Sequence, residues 1–291
     1  VNLKTYLLLV SSALLWSTGY IAAKFVLDRL NPVSLAAVRY LVAGLLLTPA
    51  LARASPRDLW SGGGGKPVLW AGLLVLPLQN ILFLVGLNLT LASDASLIAA
   101  AGPAITALLA RVALRERLTA NKAVGISLSF AGVAILIGLP ALEDGGQVRW
   151  VGDLLVLGST ASWSLYTVLS GLALRRSDPL QVTAATTLLA SAVLFPLGAL
   201  AWLWTGTGGL TWDTLAMAVY LALAANVLAT LWWVRGVSAI GAGRASVFAN
   251  LVPLATTLLS AVVLKEHLSP TLGLSALLVM GGVWLTNLKV S

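Results

Sequence analysis

Apolar residues run through this chain in stretches of about 20, the length that crosses a hydrocarbon core of about 30 Å as a helix, and each stretch ends at proline, glycine or charge. Ten transmembrane helices are expected, near 4–27, 33–52, 67–88, 94–113, 120–139, 152–172, 180–204, 213–236, 243–264 and 270–288. Asn31-Pro32, Asp178-Pro179 and Ser269-Pro270 each place a capping side chain before a proline suited to a first helical turn. The runs Gly62–Gly65 and Glu143–Gln147 read as loops. The first apolar stretch, Leu7 to Leu27, is too long for a cleaved leader and is expected to stay as a helix.

The polar and small residues inside these stretches recur. Gly86 to Leu118 matches Gly236 to Leu268 at an offset of 150, with Ala92/Ala242, Ser96/Ser246, Pro103/Pro253, Thr106/Thr256 and Glu116/Glu266 among the identities. At an offset of 147, Trp16-Ser17 matches Trp163-Ser164 and Pro32 matches Pro179. Each half therefore carries five helices, and a repeat with an odd number of spans lies upside down relative to its twin. The expected fold class is all-α integral membrane, with two inverted five-helix repeats about a pseudo-two-fold axis in the membrane plane. The first repeat covers 1–140, a linker 141–151, and the second repeat 152–291. Such an arrangement suits alternating access to a central site.

Charge agrees with this count. Of the 18 Lys and Arg residues, 13 fall on the side of the N-terminus and 5 on the other (Lys24, Arg29, Arg39, Arg149 and Lys265). By the positive-inside rule both termini are expected to be cytoplasmic. The net charge of +8 thus reflects topology, and the scattered basic residues form no nucleic-acid face. With 59% hydrophobic and 10% charged residues the chain is not an ordinary globular domain, and without cysteine it has no disulfide or thiolate metal site. A single histidine, His267, in an expected loop argues against a His-based metal cluster. Gly62 to Lys66 lacks the spacing of a nucleotide-binding loop. No cofactor or metal is expected.

Trp16 in the first helix, Pro32 and Arg39 around the second, and the twice-used pattern of small residues, mid-helix proline and then Leu-Arg-Glu-Arg-Leu-Thr (114–119) or Leu-Lys-Glu-His-Leu-Ser (264–269) resemble the ten-helix EamA family of the drug/metabolite transporter superfamily. The resemblance implies a five-plus-five structure with a central cavity lined by helices 1, 3, 4, 6, 8 and 9, and transport of amino acids or other small metabolites.

Polar or amphipathic side chains near mid-depth are the candidates for a substrate site, because they are costly in lipid and face a cavity or a partner helix. They are Trp16, Tyr20, Gln79, Asn80, Phe83, Trp163, Tyr166, Asn226, Trp233 and Asn250, with Pro103 and Pro253 as hinge or kink positions. Trp16/Tyr20 and Trp163/Tyr166 each share a helix face and suit an apolar, aromatic or cationic group. The amides serve equally well as glue between helices. Arg39 is expected to snorkel to the outer interface, and Glu116 and Glu266 to hold turns. Trp60, Trp70, Trp150, Trp212 and Trp284 read as interfacial anchors. The small residues Gly125, Ser129, Gly132, Gly281 and Gly282 permit close helix packing.

No acid falls at mid-depth, which favours a facilitator or exchanger over a proton-coupled carrier. An amino-acid or metabolite exporter leads. An organic-cation, quaternary-ammonium or drug transporter follows, and a membrane-embedded enzyme or structural subunit is remote. The expected partners are a small-molecule substrate and the lipid bilayer, with no nucleic acid, and the chain is expected to be a monomer or weak homodimer.

Overall fold

The computed structural model describes residues 3–52, 65–113, 119–143, 147–173, 178–206, 209–240 and 248–287, and among them every regular element is helical. Helix α1 is Leu3–Leu27, α2 is Pro32–Ala52, and α3 is Gly65–Leu89. Helix α4 runs over Ala92–Ala100 and Gly102–Ala113, α5 over Ala120–Glu143, α6 over Gln147–Ala173, and α7 over Pro179–Thr205. Helix α8 joins Trp212–Tyr220, Leu221–Leu228 and Ala229–Ile240; α9 joins Leu251–Leu259 and Ser260–Leu264; α10 is Pro270–Asn287. Among the described residues seven helices are long and apolar enough to cross a membrane, and α9 and α10 supply the shorter apolar helices Leu251–Leu264 and Pro270–Thr286. This is a multi-pass membrane protein. Trp60, Glu116 and eight of the loop basic residues (Arg53, Arg57, Arg115, Arg117, Arg175, Arg176, Arg244 and Lys289) lie outside the described residues.

The expected start signals operate. Asp178 accepts from the N–H groups of Leu180 at 2.8 Å and Gln181 at 3.3 Å. Asn31 accepts from Val33 N at 2.9 Å, and Ser269 from Leu272 N at 3.2 Å. Helix α5 continues to Glu143 and α6 begins at Gln147, so helix occupies both sides of the stretch expected to be a loop.

The strongest packing joins α2 to α7, α5 to α10 and α3 to α6, followed by α1 with α8 and α9, and α4 with α6. Exchanging the first five helices with the last five leaves this set unchanged: α3–α6 becomes α8–α1, α4–α6 becomes α9–α1, and the other two pairs map onto themselves. Glycine permits two close backbone crossings. A Cβ on Gly86 would stand 2.8 Å from the Gly152 carbonyl, and one on Gly125 would stand 2.5 Å from the Gly282 carbonyl. Gly125, Ser129, Gly132 and Gly282 are thus spent inside the bundle between α5 and α10, while Gly281 has open space around it. With lipid tails as apolar as the side chains, such close van der Waals packing is what holds helices together.

Several buried hydroxyls turn back on carbonyls of their own helices, which satisfies them where no water is at hand. Ser12 donates to Leu8 O at 2.8 Å, Thr160 to Val156 O at 2.8 Å, and Thr186 to Val182 O at 2.9 Å. Trp70, Trp150, Trp212 and Trp284 are exposed.

Candidate functional site

Helices α4 and α9 each break just before the repeated proline. A turn at Ala101 precedes Pro103, and a turn at Asn250 precedes Pro253. In both, proline removes an N–H from the helix ladder. The carbonyl immediately before each proline is tied across the halves. Ser164 on α6 donates to Gly102 O at 3.1 Å, and Ser17 on α1 donates to Val252 O at 3.2 Å while also reaching Ala13 O at 2.8 Å. Ser17/Ser164 and Gly102/Val252 are pairs under the sequence repeat, so one hydrogen bond occurs twice. Both hydroxyls are fully buried.

Among the described residues three helices carry π-helical stretches: Ala71–Val75 in α3, Leu221–Leu228 in α8 and Ser260–Leu264 in α9. The first two begin at residues 150 apart, the repeat's own offset. A π turn widens the helix and is frequent at functional sites.

The aromatic candidates divide unevenly. Trp16 donates its indole N–H to Ala225 O, inside the α8 π stretch, at 3.0 Å, and its ring lies 5.2 Å from that of Trp233. Tyr20 meets Phe83 edge to face at 5.3 Å. Trp163, 47% exposed, stacks on Tyr166 of its own helix at 5.2 Å. The two tryptophans therefore occupy equivalent backbone positions without equivalent surroundings, because Trp16 is pinned by α8 while Trp163, among the described residues, stacks on its neighbour on α6.

The polar candidates fall into three hydrogen-bonded groups. Asn80 Nδ2 donates to Leu76 O at 3.1 Å and contacts Tyr40 Oη at 2.6 Å and Gln79 Oε1 at 2.7 Å, while Gln79 Nε2 donates to Ser159 Oγ at 3.1 Å. Tyr166 Oη lies 3.2 Å from Thr186 Oγ1. Arg39 Nη2 donates to Asn226 Oδ1 at 2.8 Å. Asn250 is half-buried at the α9 break and its side chain makes no hydrogen bond among the described residues. Arg39 does not snorkel. Its guanidinium is buried and turned inward onto Asn226, because an acceptor within the bundle replaces the one the interface would offer.

Tyr40, Ser159 and Thr186 join these groups although the sequence did not single them out. Tyr40 follows Arg39 in an otherwise apolar run, and that adjacency was the available signal. It was hidden because α2 and α7 were not expected to face the cavity.

A second polar cluster lies at the end of the bundle where α1 and α3 finish and α6 begins. Lys24 donates to the Thr90 carbonyl, and the Thr90 hydroxyl donates to Asp153. Arg149 pairs with Asp94 at 2.6 Å. Glu266, from the α9–α10 connection, accepts from Ala92 N at 2.7 Å, Ser93 N at 3.2 Å and Ser93 Oγ at 2.8 Å. Glu266 thus caps a helix, but that helix is α4 in the other half of the chain. Its aim is set locally: Lys265 adopts a left-handed conformation with φ 56°, and Glu266 N–H returns to Ser260 O at 3.2 Å. The bond reaches one residue further than the six-to-one bond of a Schellman stop, because α9 ends in a π-helical turn whose Lys265 N–H also returns to Ser260 O.

Comparison with known proteins agrees with this architecture. An uncharacterized transporter of Archaeoglobus fulgidus is 28% identical over 296 residues, covering 99% of both chains. The uncharacterized transporters YvbV and YyaM of Bacillus subtilis are 29% and 26% identical, covering 98% and 89% of this chain and 92% and 86% of their own. A solved crystal structure at 23% identity matches with a TM-score of 0.64 over 98% of this chain and 96% of its own, which shows a shared fold. The sequence profile described as the EamA-like transporter family matches twice, over residues 3–138 and 150–288. The chain belongs to the EamA-like transporter family, within the drug/metabolite transporter superfamily.

Proposed function

We propose that this transporter moves small metabolites, amino acids foremost, out of the cell by alternating access through a site between its two halves. The observation that carries this is the twice-made bond from Ser17 and Ser164 to the carbonyls before Pro253 and Pro103. It couples the breaks in α4 and α9 to helices of the opposite half, so each half registers the other's position.

The halves are two five-helix repeats, 1–140 and 152–291, joined by 141–151. They are inverted with ten spans, and both termini are in the cytoplasm. Packing that is unchanged when the halves are exchanged supports this, as does the charge asymmetry of the loops. Around the centre, Trp16, Tyr20, Phe83 and Trp233 supply an apolar wall, with Trp163 and Tyr166 opposite. Gln79, Asn80, Asn226 and Asn250 supply hydrogen bonds, and Pro103 and Pro253 act as hinges. With no mid-depth acid to titrate in transit, transport is by facilitation or exchange.

The aromatic pairs Trp16–Trp233 and Trp163–Tyr166 support a second reading, an organic-cation carrier holding a quaternary ammonium by cation–π attraction. Uptake of labelled amino-acid pools and of choline into proteoliposomes separates the two. Saturable amino-acid uptake that Trp16→Ala weakens supports the first. Saturable choline uptake alone supports the second, and saturable uptake of neither contradicts both.

A further inference from the structure

Arg39 is 7% exposed, and among the described residues no acid faces it. One of its N–H groups, on Nη2, bonds Asn226 Oδ1 at 2.8 Å. Its Nε is buried and makes no hydrogen bond among the described residues. A cation taken out of water without a counter-ion is among the costliest arrangements a protein holds, and the cheap escape is refused. Arg39 sits about 10 Å along α2 at 1.5 Å per residue, within snorkelling reach of that end, yet its head turns to Asn226, about 20 Å along α8. Both helices start at the same end of the bundle, where Gly209 meets Arg29 and Leu30. The guanidinium thus points toward the middle of the membrane.

Its surroundings are rich in donors. Tyr40 Oη, which takes a contact from Asn80, has its own hydrogen unspent among the described residues, and the Asn226 amide nitrogen has no acceptor there. The Tyr40 phenol lies within electrostatic range of Arg39 and of Tyr166. The arrangement belongs to one half only, since Arg39 aligns with Thr186 and Asn226 with Leu76 under the repeat. The scaffold does not need it twice, so the packing symmetry does not explain it.

We propose that Arg39, with Tyr40 and Asn226, receives the carboxylate of the transported substrate. This rests on the transport reading and narrows its substrate class to small carboxylates with an apolar or aromatic body, set against the aromatic residues of α1 and α6. A guanidinium offers a carboxylate two parallel N–H bonds, which a point charge does not. The same buried cation repels an organic cation, so the choline-type carrier is disfavoured.

Three probes of one shape and three charges test it: phenylacetate, phenylacetamide and phenethylamine, titrated against the purified full chain in a neutral detergent. Binding is read by thermal shift and by isothermal calorimetry. Phenylacetate is expected to bind at least tenfold more tightly than phenylacetamide, and phenethylamine not at all. Arg39→Gln is expected to abolish that preference, and Arg39→Lys to keep part of it. If Arg39→Gln does not fold, Asn226→Leu, which removes the acceptor and leaves the cation, is expected to weaken phenylacetate at least threefold. A structural role alone would lower stability and leave the order of the probes unchanged. Equal binding of phenylacetate and phenylacetamide, tighter phenethylamine, or an unaltered preference in Arg39→Gln would overturn the proposal. Loss of amino-acid transport with the phenylacetate preference intact would instead count against the transport reading alone.

Discussion

Removing the Glu266 carboxylate tests whether the cluster at the ends of α1, α3 and α9 holds that end of the bundle shut. Glu266→Ala leaves Ala92 N, Ser93 N and Ser93 Oγ without the acceptor they share at 2.7, 3.2 and 2.8 Å. Losing an N-terminal cap costs about 0.5–2 kcal/mol, and hydrogen bonds to a charged group about 1.5–3 kcal/mol where burial is complete. Glu266 is half-exposed and lies near the Asp94 carboxylate, which offsets part of that gain. About 2 kcal/mol is a fair net figure, and it changes the closed-to-open ratio by a factor of about 30. The chain has no cysteine, so spin labels placed at Arg29→Cys and His267→Cys report without background. Pulsed electron–electron distance measurements in nanodiscs are expected to show a single short distance with Glu266 present and a growing longer component in Glu266→Ala, with Glu266→Gln between them. Identical distance distributions in all three would refute the idea that this contact biases the conformational equilibrium.

Further outcomes follow from single contacts. Ser164→Ala is expected to cost about 1 kcal/mol and Ser17→Ala about half that, within the range for membrane hydrogen bonds. The Ser17 hydroxyl already divides its proton between Ala13 O and Val252 O, and urea or thermal unfolding in detergent reads the difference. Gly125→Val drives atoms into the Gly282 carbonyl and Thr286 and is expected to prevent a stable fold, at more than about 3 kcal/mol. Gly138→Ala, with nothing within 4 Å of the added carbon, is expected to stabilise by about 0.5–1 kcal/mol; size-exclusion thermostability checks both. Lys265→Gly relieves a left-handed conformation at φ 56° and is expected to raise stability by about 1 kcal/mol in the same assay.

Much of the helical layout was legible because hydrophobic stretches and caps are local signals. Asn31, Asp178 and Ser269 cap the helices that their spacing to proline announced. The repeated Ser17 and Ser164 also announced themselves, although their acceptors did not, because a backbone carbonyl carries no sequence signal. What escaped depended on tertiary aim. Arg39 looked like an interface residue because depth along a helix says nothing about whether an acceptor such as Asn226 waits inside. Glu266 looked like a residue of its own turn because the helix it caps lies 174 positions earlier in the chain. Trp163 appeared equivalent to Trp16, yet the repeat fixes a residue's place on its helix and leaves open what the facing helix presents.

Counterflow in proteoliposomes tests the central claim most directly. Vesicles loaded with an unlabelled amino-acid pool and diluted into trace label are expected to accumulate label transiently above its outside concentration, several-fold faster than empty vesicles, because a site open to one side at a time exchanges faster than it returns empty. Label entry that rises linearly with concentration and ignores internal loading would indicate a channel or a leak, and would contradict alternating access.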